Sequence, residues 1–191
     1  MRHRLALDFD DVICDTLPHV LEAFRQAGYP IPSHIHRYED WDGQAPFSRE
    51  ESNAIVFSAT ASLELAKRML PIPGAIHGIQ EVLTLGVEVT VLTARGKVPG
   101  EIEAARCFLG RFGLDHLPIT GTALVSKGQF IDGYTVALDD STGELLSMPA
   151  HVHRLLFRRP RNKAFWRAPT NGIIPVRDWL HVVEVIRDLV R

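Results

Sequence analysis

The chain has 191 residues, of which 46% are apolar and 23% are charged, and its formal net charge at pH 7 is −2. This length and composition are typical of a globular protein that buries a sizeable core. The small net charge gives no overall attraction to nucleic acid or to an anionic membrane surface, so we expect neither as a partner.

The sequence contains two cysteines, Cys14 and Cys107, and neither lies in a CxxC or zinc-binding spacing. The apolar run near the N-terminus is interrupted at Asp8, which makes it too short for the core of a signal peptide, and no stretch is long enough to span a membrane. We therefore expect a cytoplasmic protein. The sequence leaves the number of subunits open.

The first predicted element is a short buried strand over residues 4–9, and a helical pattern follows it as far as Gly28. Ser48 and Glu51 then match a capping box, which opens a second helical segment that runs to about residue 70. We interpret residues 17–72 as a small helical cap inserted after the first strand.

Strands and helices alternate from Pro73 onward, and residues 1–16 and 73–191 are predicted to form one α/β core. Pro73 can begin a helix that Gly86 ends. The later elements are a strand over residues 87–92, a helix over 101–113, strands in YTVAL and RLLF on either side of a helix near 142–148, and the final helix in VRDWLHVVEVIRDLV. This alternation predicts a Rossmann-like parallel sheet with helices on both faces.

Acidic and polar residues stand where the predicted strands end. They are Asp8, Asp10 and Asp11 in LALDFDDVICDT, Thr93 in VLTAR, and Asp139 with Asp140 in VALDDS. In open α/β sheets, ligands bind outside the carboxyl ends of the strands, where the strand order reverses. We therefore expect these residues to converge although they are distant in sequence.

Carboxylates that converge in this way need a cation, and ligands that are all oxygen favour Mg²⁺. A carboxylate beside the metal can attack phosphorus, and a second carboxyl group two residues later can act as a general acid. The hydroxyl group of Thr93 and the amides after it can hold phosphoryl oxygens, while Lys127, in ALVSKGQF, supplies positive charge.

Four ordered motifs, Asp8-Phe9-Asp10, Thr93, Lys127 and Asp139-Asp140, resemble those of the haloacid-dehalogenase superfamily of phosphohydrolases. The resemblance implies that Asp8 is the nucleophile, which forms an aspartyl-phosphate, and that Asp10 is first the acid and then the base. It further implies that Thr93, Ala94 and Lys127 bind the phosphate. The Mg²⁺ ligands would be Asp8, the carbonyl group of Asp10, and Asp139 or Asp140.

The C-terminal segments LLFRRPRN and VRDW are similar to the end of the 5′-nucleotidase and 5′(3′)-deoxyribonucleotidase branch, which implies a nucleoside or deoxynucleoside monophosphate as the small phosphorylated substrate. A phosphatase of another small metabolite, a phosphatase of nucleic-acid ends and a catalytically weak binding protein stay open as alternatives. A basic loop (Arg158, Arg159, Arg161 and Lys163) is expected to be a solvated face, although it could attract an anionic substrate.

Two further features allow two interpretations each. Trp41 and Phe47 either pack the core of the cap or stack on a nucleobase, and packing is the expected role. Asp11 stands where most members of the superfamily carry glycine, at the point where the backbone turns away from the strand. Aspartate tolerates such backbone angles better than most residues, so the substitution is either accommodated or adds charge that lowers activity.

Overall fold

The computed structural model describes residues 3–29, 31, 47–123, 125–167 and 172–191. Within them, six parallel strands form one sheet in the order β3-β2-β1-β4-β5-β6. The strands are β1 (Arg4–Leu7), β2 (Glu88–Thr93), β3 (Ile119–Gly121), β4 (Val136–Asp139), β5 (His153–Phe157) and β6 (Ile173–Val176). The parallel sheet predicted from the alternation of elements is therefore confirmed.

Seven α-helices lie in the described ranges. They are α1 (Leu17–Gln26), α2 (Arg49–Thr60), α3 (Leu63–Ala66), α4 (Ala75–Thr84), α5 (Glu101–Gly110), α6 (Thr142–Ser147) and α7 (Trp179–Leu189). Helices α4, α5, α6 and α7 pack on the sheet, while α1 and α2 form a separate small core. The predicted capping box of α2 is present, because Ser48 Oγ accepts the amide of Glu51 and the carboxylate of Glu51 accepts the amide of Ser48. None of these helices is both long and apolar enough to cross a membrane.

Both faces of the sheet are covered, because successive side chains of each strand point to opposite sides. Leu5 and Leu7 belong to the larger apolar core, in which α4, α5 and α7 pack against one face. Ala6, between them, belongs to a smaller core on the other face together with Leu145 of α6. The central strand β1 is thus buried on both sides, and it brings Asp8 out at the middle of the carboxyl edge.

Trp179, at the start of α7, supports the turn that follows β1. Its side chain is 1% exposed, and its indole N–H donates to the carbonyl group of Val12 at 2.9 Å. The indole ring also lies against Gly78 of α4, where a Cβ atom would approach Trp179 Cε3 to 2.5 Å. This close packing of α4, α7 and the turn holds the acidic segment after β1 in place.

The segment after β1, at residues 13–15, lies beside residues 70–72, where the chain returns to the core. The amide of Asp15 donates to the carbonyl group of Leu70, and the amide of Ile72 donates to that of Ile13. Between these two bonds, α1 and α2 pack on each other around a small apolar core that includes Val20 and Phe24. The predicted helical segment 48–70 consists of two helices, α2 and α3, because Ser62 caps a new helix after Ala61.

Candidate active site

The candidate site lies at the carboxyl edge of the three central strands. Asp8 follows β1, while Thr93 and Asp139 are the last residues of the neighbouring strands β2 and β4. The chain order reverses at β1, since β2 lies on one side of it and β4 on the other. This is the position at which open α/β sheets bind ligands.

Asp8, Asp139 and Asp140 form a buried acidic cluster in which one carboxylate oxygen from each residue lies within 4.8 Å of the others. Burial, and then the neighbouring carboxylate of Asp139, raises the pKa of Asp8 well above its ordinary value. Burial raises the pKa of Asp140 to about 7, although Arg161 opposes this. Three buried carboxylates this close together repel one another when they are ionised, and their oxygens are suitable ligands for a hard divalent cation such as Mg²⁺.

Lys127 lies within the acidic cluster. Its Nζ is 2.7 Å from Asp8 Oδ1 and 2.7 Å from Asp139 Oδ2, and its side chain is 3% exposed. Burial alone would lower the pKa of the Lys127 ammonium, but the carboxylates of Asp139 and Asp8 raise it above its ordinary value. Lys127 begins a 3₁₀ helix (Lys127–Phe130), and its amide donates to the carboxylate of Glu144 in α6 at 2.8 Å. Strand β4 and helix α6 therefore fix this lysine from two sides.

Asp10 lies apart from the cluster and is held by Arg95 and Thr16. Arg95 Nε donates to Asp10 Oδ2 at 3.0 Å and Arg95 Nη2 donates to Oδ1 at 2.7 Å, while the Thr16 hydroxyl donates to Oδ1 at 2.6 Å. Burial would raise the pKa of Asp10, but the charge and hydrogen bonds of Arg95 and the bond from Thr16 lower it below its ordinary value. Thr93 is fully buried and joins this group through Arg95, whose amide donates to Thr93 Oγ1 at 3.3 Å.

Asp11 adopts the left-handed backbone conformation that glycine favours, with φ at 58°. Its Oδ1 accepts the amides of Thr16 and Leu17 at 3.2 and 3.1 Å and so caps the beginning of α1. Arg159 and Arg161 lie 3.7 and 3.5 Å from its carboxylate. The structure therefore accommodates Asp11, because two backbone amides bind its carboxylate and two arginines lie near its charge.

The prediction that the basic loop is a solvated face is wrong for Arg159 and Arg161. Their side chains are 22% and 20% exposed and turn toward carboxylates. Arg159 Nη2 donates to Asp15 Oδ1 at 2.8 Å, and Arg161 forms an ion pair with Asp140 as well as with Asp11. Long arginine side chains reach back over the strand ends, where buried carboxylates need counter-charges.

A cavity of about 340 Å³ connects the acidic residues to α1 and α2. Asp8, Asp10, Asp140, Ala94 and Arg95 line it on the core side. On the helical side the lining residues are Leu17 and Val20 of α1 and Asn53, Val56 and Phe57 of α2. The cavity thus offers acidic and cationic groups at one end. At the other end is a wall, called the apolar wall below, that is mostly apolar and includes the polar residue Asn53.

The aromatic residues singled out in the sequence are not on this apolar wall where the structure describes them. Phe47 packs against Phe24 and Tyr29, with ring centroids 5.0 Å away in each case, and so belongs to the small core of α1 and α2. Trp41 lies outside the described residues. Among the described residues, the aromatic ring that lines the cavity is that of Phe57, over which Lys97 Nζ lies at 4.5 Å.

No family model matches the sequence, and no curated protein matches it in sequence. Its fold nevertheless matches solved structures over nearly the whole chain. A haloacid dehalogenase-like hydrolase from Streptococcus pneumoniae is 13% identical, with 96% of this chain and 98% of that chain covered and a TM-score of 0.67. A hydrolase of family IA, variant 3, from Entamoeba histolytica is 13% identical, with 100% and 99% covered and a TM-score of 0.65.

A third similar structure is a phospho-aspartyl intermediate analogue of phosphoserine phosphatase. It is 19% identical, with 96% of this chain and 98% of that chain covered and a TM-score of 0.60. Together with the sheet order, these similarities show that the chain has the fold of haloacid-dehalogenase-superfamily hydrolases. At such low identity the similarity defines the fold, and function must be argued from the site.

Proposed function

We propose that this protein is a magnesium-dependent phosphomonoesterase that works through an aspartyl-phosphate on Asp8. The observation that carries the proposal is the buried contact of Lys127 with both Asp8 and Asp139, beside Asp140 and at the carboxyl edge of the sheet. A cation placed against a carboxylate nucleophile reduces its repulsion from an incoming phosphate. The fold that this chain shares with a phosphoserine phosphatase, whose structure represents a phospho-aspartyl intermediate, supports the same reading.

The proposed Mg²⁺ ligands are Asp8, the backbone carbonyl group of Asp10, and the pair Asp139 and Asp140. Both oxygens of Asp139 accept hydrogen bonds, one from Lys127 at 2.7 Å and one from the amide of Ser141 at 2.7 Å. This favours Asp140 over Asp139 as the direct ligand of the pair. When bound, the ion would neutralise the carboxylates and the phosphate that face each other.

The chain's own residues then perform two displacements. An oxygen of Asp8 bonds to phosphorus while the bond from phosphorus to the leaving oxygen breaks. Asp10, whose pKa is lowered beside Arg95, takes up a proton when the negative charge of the phosphate ester enters the cavity, and it gives that proton to the leaving oxygen. In the second displacement Asp10 takes a proton from water as the water oxygen bonds to phosphorus, and the bond to Asp8 breaks. Lys127, the Thr93 hydroxyl and the amide of Ala94 are proposed to hold the phosphoryl oxygens.

The proposed substrates are nucleoside or deoxynucleoside monophosphates. The similarity of LLFRRPRN and VRDW to the nucleotidase branch supports this, and so does the apolar wall with Phe57 opposite the acidic residues. Residues 17–72 would serve as the cap over the substrate. The pairing of Arg159 and Arg161 with carboxylates argues against their use in binding nucleic-acid ends. A cytoplasmic location stays part of the proposal and agrees with the two unpaired cysteines.

The test is a screen of phosphate monoesters with purified protein and Mg²⁺, in which Asp8→Asn is the matched control. We expect Mg²⁺-dependent release of phosphate from a generic aryl phosphate, a higher kcat/KM for nucleoside monophosphates than for sugar phosphates, and no turnover by the variant. Wild-type protein that releases no phosphate from any ester of the panel would contradict the proposal, and so would turnover that Asp8→Asn leaves intact.

A further inference from the structure

The contact between Arg95 and Asp10 places two parallel hydrogen bonds on one carboxylate. A bidentate guanidinium fixes both the position and the rotation of a carboxylate, which a single hydrogen bond does not. The side chain of Asp10 is 30% exposed, and it lines the cavity, whereas that of Arg95 is 4% exposed. Arg95 thus holds Asp10 from the buried side and leaves it open toward the cavity.

Arg95 is itself held on several sides. Its guanidinium stacks over the ring of Phe9 at 4.6 Å, and Nη1 donates to the carbonyl group of Thr60 at 2.8 Å. Thr60 is the last residue of α2, and its hydroxyl donates to the carboxylate of Glu101 at 2.7 Å. The same carboxylate accepts amides of residues 96–98, directly after Arg95. A continuous set of buried polar contacts therefore connects the end of α2 to the Asp10 carboxylate.

We propose that Arg95 is a positioning residue that fixes Asp10 for its two proton transfers and fastens it to the end of α2. The inference rests on the proposed function, in which Asp10 is the acid and then the base. General acid–base catalysis contributes about 10²- to 10⁴-fold and depends on the placement of the group that carries the proton. A carboxylate released from the guanidinium would lose that placement while Asp8 and Lys127 kept theirs.

The two displacements depend on Asp10 to different degrees, which provides a specific readout. A p-nitrophenolate leaving group needs no proton, so the first displacement on p-nitrophenyl phosphate proceeds without help from Asp10. The second displacement still requires Asp10 to take a proton from water. Loss of Arg95 should therefore slow the hydrolysis of the aspartyl-phosphate selectively, and the phosphorylated protein should accumulate.

The experiment follows p-nitrophenyl phosphate by rapid quench with the Mg²⁺-loaded protein, and intact mass spectrometry of quenched samples measures the phosphorylated fraction. For Arg95→Met we expect a burst of about one p-nitrophenolate per protein, a steady rate about 100-fold lower, and a mostly phosphorylated chain. Arg95→Lys, which keeps a cation but loses the two-point contact, should show a smaller loss. It also provides the test where Arg95→Met is too unstable to purify.

Arg111→Met is the matched control. Arg111 also joins the α5 side of the core to the helical segment, because its Nη1 donates to the carbonyl groups of Ala66 and Met69 at 2.8 and 2.7 Å. Its variant should show no burst and a steady rate like that of the wild type. Thr60→Val, which removes the hydroxyl bond to Glu101, should produce a weaker form of the Arg95 effect, and unchanged kinetics would overturn the connection to α2.

A double-mutant cycle with Asp10→Asn separates positioning from general damage. If Arg95 acts through Asp10, Arg95→Met should slow the second displacement no further in the Asp10→Asn protein. Two outcomes for Arg95→Met would overturn the inference while leaving the proposed function intact. One is an equal decrease in the rate of the first p-nitrophenolate release and in the steady rate, and the other is an unchanged steady rate without accumulation of phosphorylated protein. Wild-type protein with no turnover of any phosphate ester would overturn both.

Discussion

Replacement of Lys127 by methionine should destabilise the protein strongly when no divalent ion is present. Lys127 Nζ lies 2.7 Å from Asp8 Oδ1 and from Asp139 Oδ2, and the three side chains are 3%, 9% and 2% exposed. Methionine keeps much of the apolar stem but removes the charge, so two buried carboxylates lose their common partner. Removal of one partner from a buried ion pair costs about 3–5 kcal/mol, and we expect a loss of this size at about pH 8.

The loss should become smaller as the pH falls. Burial and then Asp139 raise the pKa of Asp8, whereas Lys127 lowers it, so the substitution raises the pKa of Asp8 further. A folded protein in which a carboxyl pKa is raised retains a proton that the unfolded chain has released. Its stability therefore rises as the pH falls from the folded pKa toward the ordinary value of 3.8. Proton uptake by Asp8 replaces part of what Lys127 supplied.

The assay is urea denaturation with EDTA at about pH 8 and about pH 5.5, for the wild type, Lys127→Met and Lys67→Met. Lys67 Nζ is also 2.7 Å from a carboxylate, that of Glu64, but its side chain is 58% exposed, so its loss should change stability little. For Lys127→Met, a loss below about 1 kcal/mol at the higher pH, or an equal loss at both pH values, would refute the reasoning.

Three further outcomes are expected. Mg²⁺ should bind more tightly as the pH rises from about 5.5 to about 7.5, because burial raises the pKa of Asp140 to about 7 and a protonated carboxyl group is a poor ligand. Calorimetry in buffers of different ionisation enthalpy should detect the protons that Mg²⁺ binding releases, and an affinity independent of pH would contradict this prediction. Asp11→Gly should lower the free energy of unfolding by about 1 kcal/mol. The variant loses the acceptor for the amides of Thr16 and Leu17, and this loss should outweigh the backbone strain that glycine removes at a φ of 58°. Thermal melting measures the change, and a variant that melts above the wild type would show that the strain is the larger effect. Phe57→Ala should raise KM for nucleoside monophosphates about 3- to 10-fold, because the ring lines the wall of the cavity opposite the acidic residues. Inhibition by inorganic phosphate should stay unchanged, and an unaltered KM would exclude the ring from substrate binding.

The central part of the sheet was predictable because its strands carry the apolar and β-branched residues that are typical of buried strands. β1 and β4 are short apolar runs, and β2 is rich in β-branched residues. The polar residue at the end of each of the three, Asp8, Thr93 or Asp139, marks the carboxyl edge. The outer strands were missed. β3 has three residues and contains Gly121, while β6 includes Pro175, so neither carries a clear strand pattern. β3 and β6 are extended because they pair with β2 and β5, and the periodicity of a sequence does not show which segments pair.

The arginines around the site were missed for a different reason. Arg95 lies 85 residues from Asp10, and sequence patterns give no direction for a long flexible side chain. A cue was present in VLTAR, where a basic residue follows the strand end that also carries Thr93. Arg161 was assigned to a solvated loop by default, yet the loop after β5 folds back over the carboxyl edge. Buried carboxylates in one part of a sequence thus predict cations elsewhere, without identifying which ones.

Charge balance connects these arginines to the proposed metal. Among the described residues, three neighbouring groups of ion pairs at the carboxyl edge contain six carboxylates and four cations. The carboxylates are those of Asp8, Asp10, Asp11, Asp15, Asp139 and Asp140, and the cations are Arg95, Lys127, Arg159 and Arg161. With every carboxylate ionised, these groups together are two positive charges short of neutrality, which is the charge of one Mg²⁺. Burial is the main cause of the raised pKa values of Asp8 and Asp140, two of the proposed ligands, and it raises the pKa of Asp11 as well, whereas Arg95 and Thr16 lower the pKa of Asp10. Asp11 shares the two arginines of the loop after β5 with Asp15 and Asp140, so these three carboxylates have only two cations between them, and the metal proposed beside Asp140 would supply further positive charge.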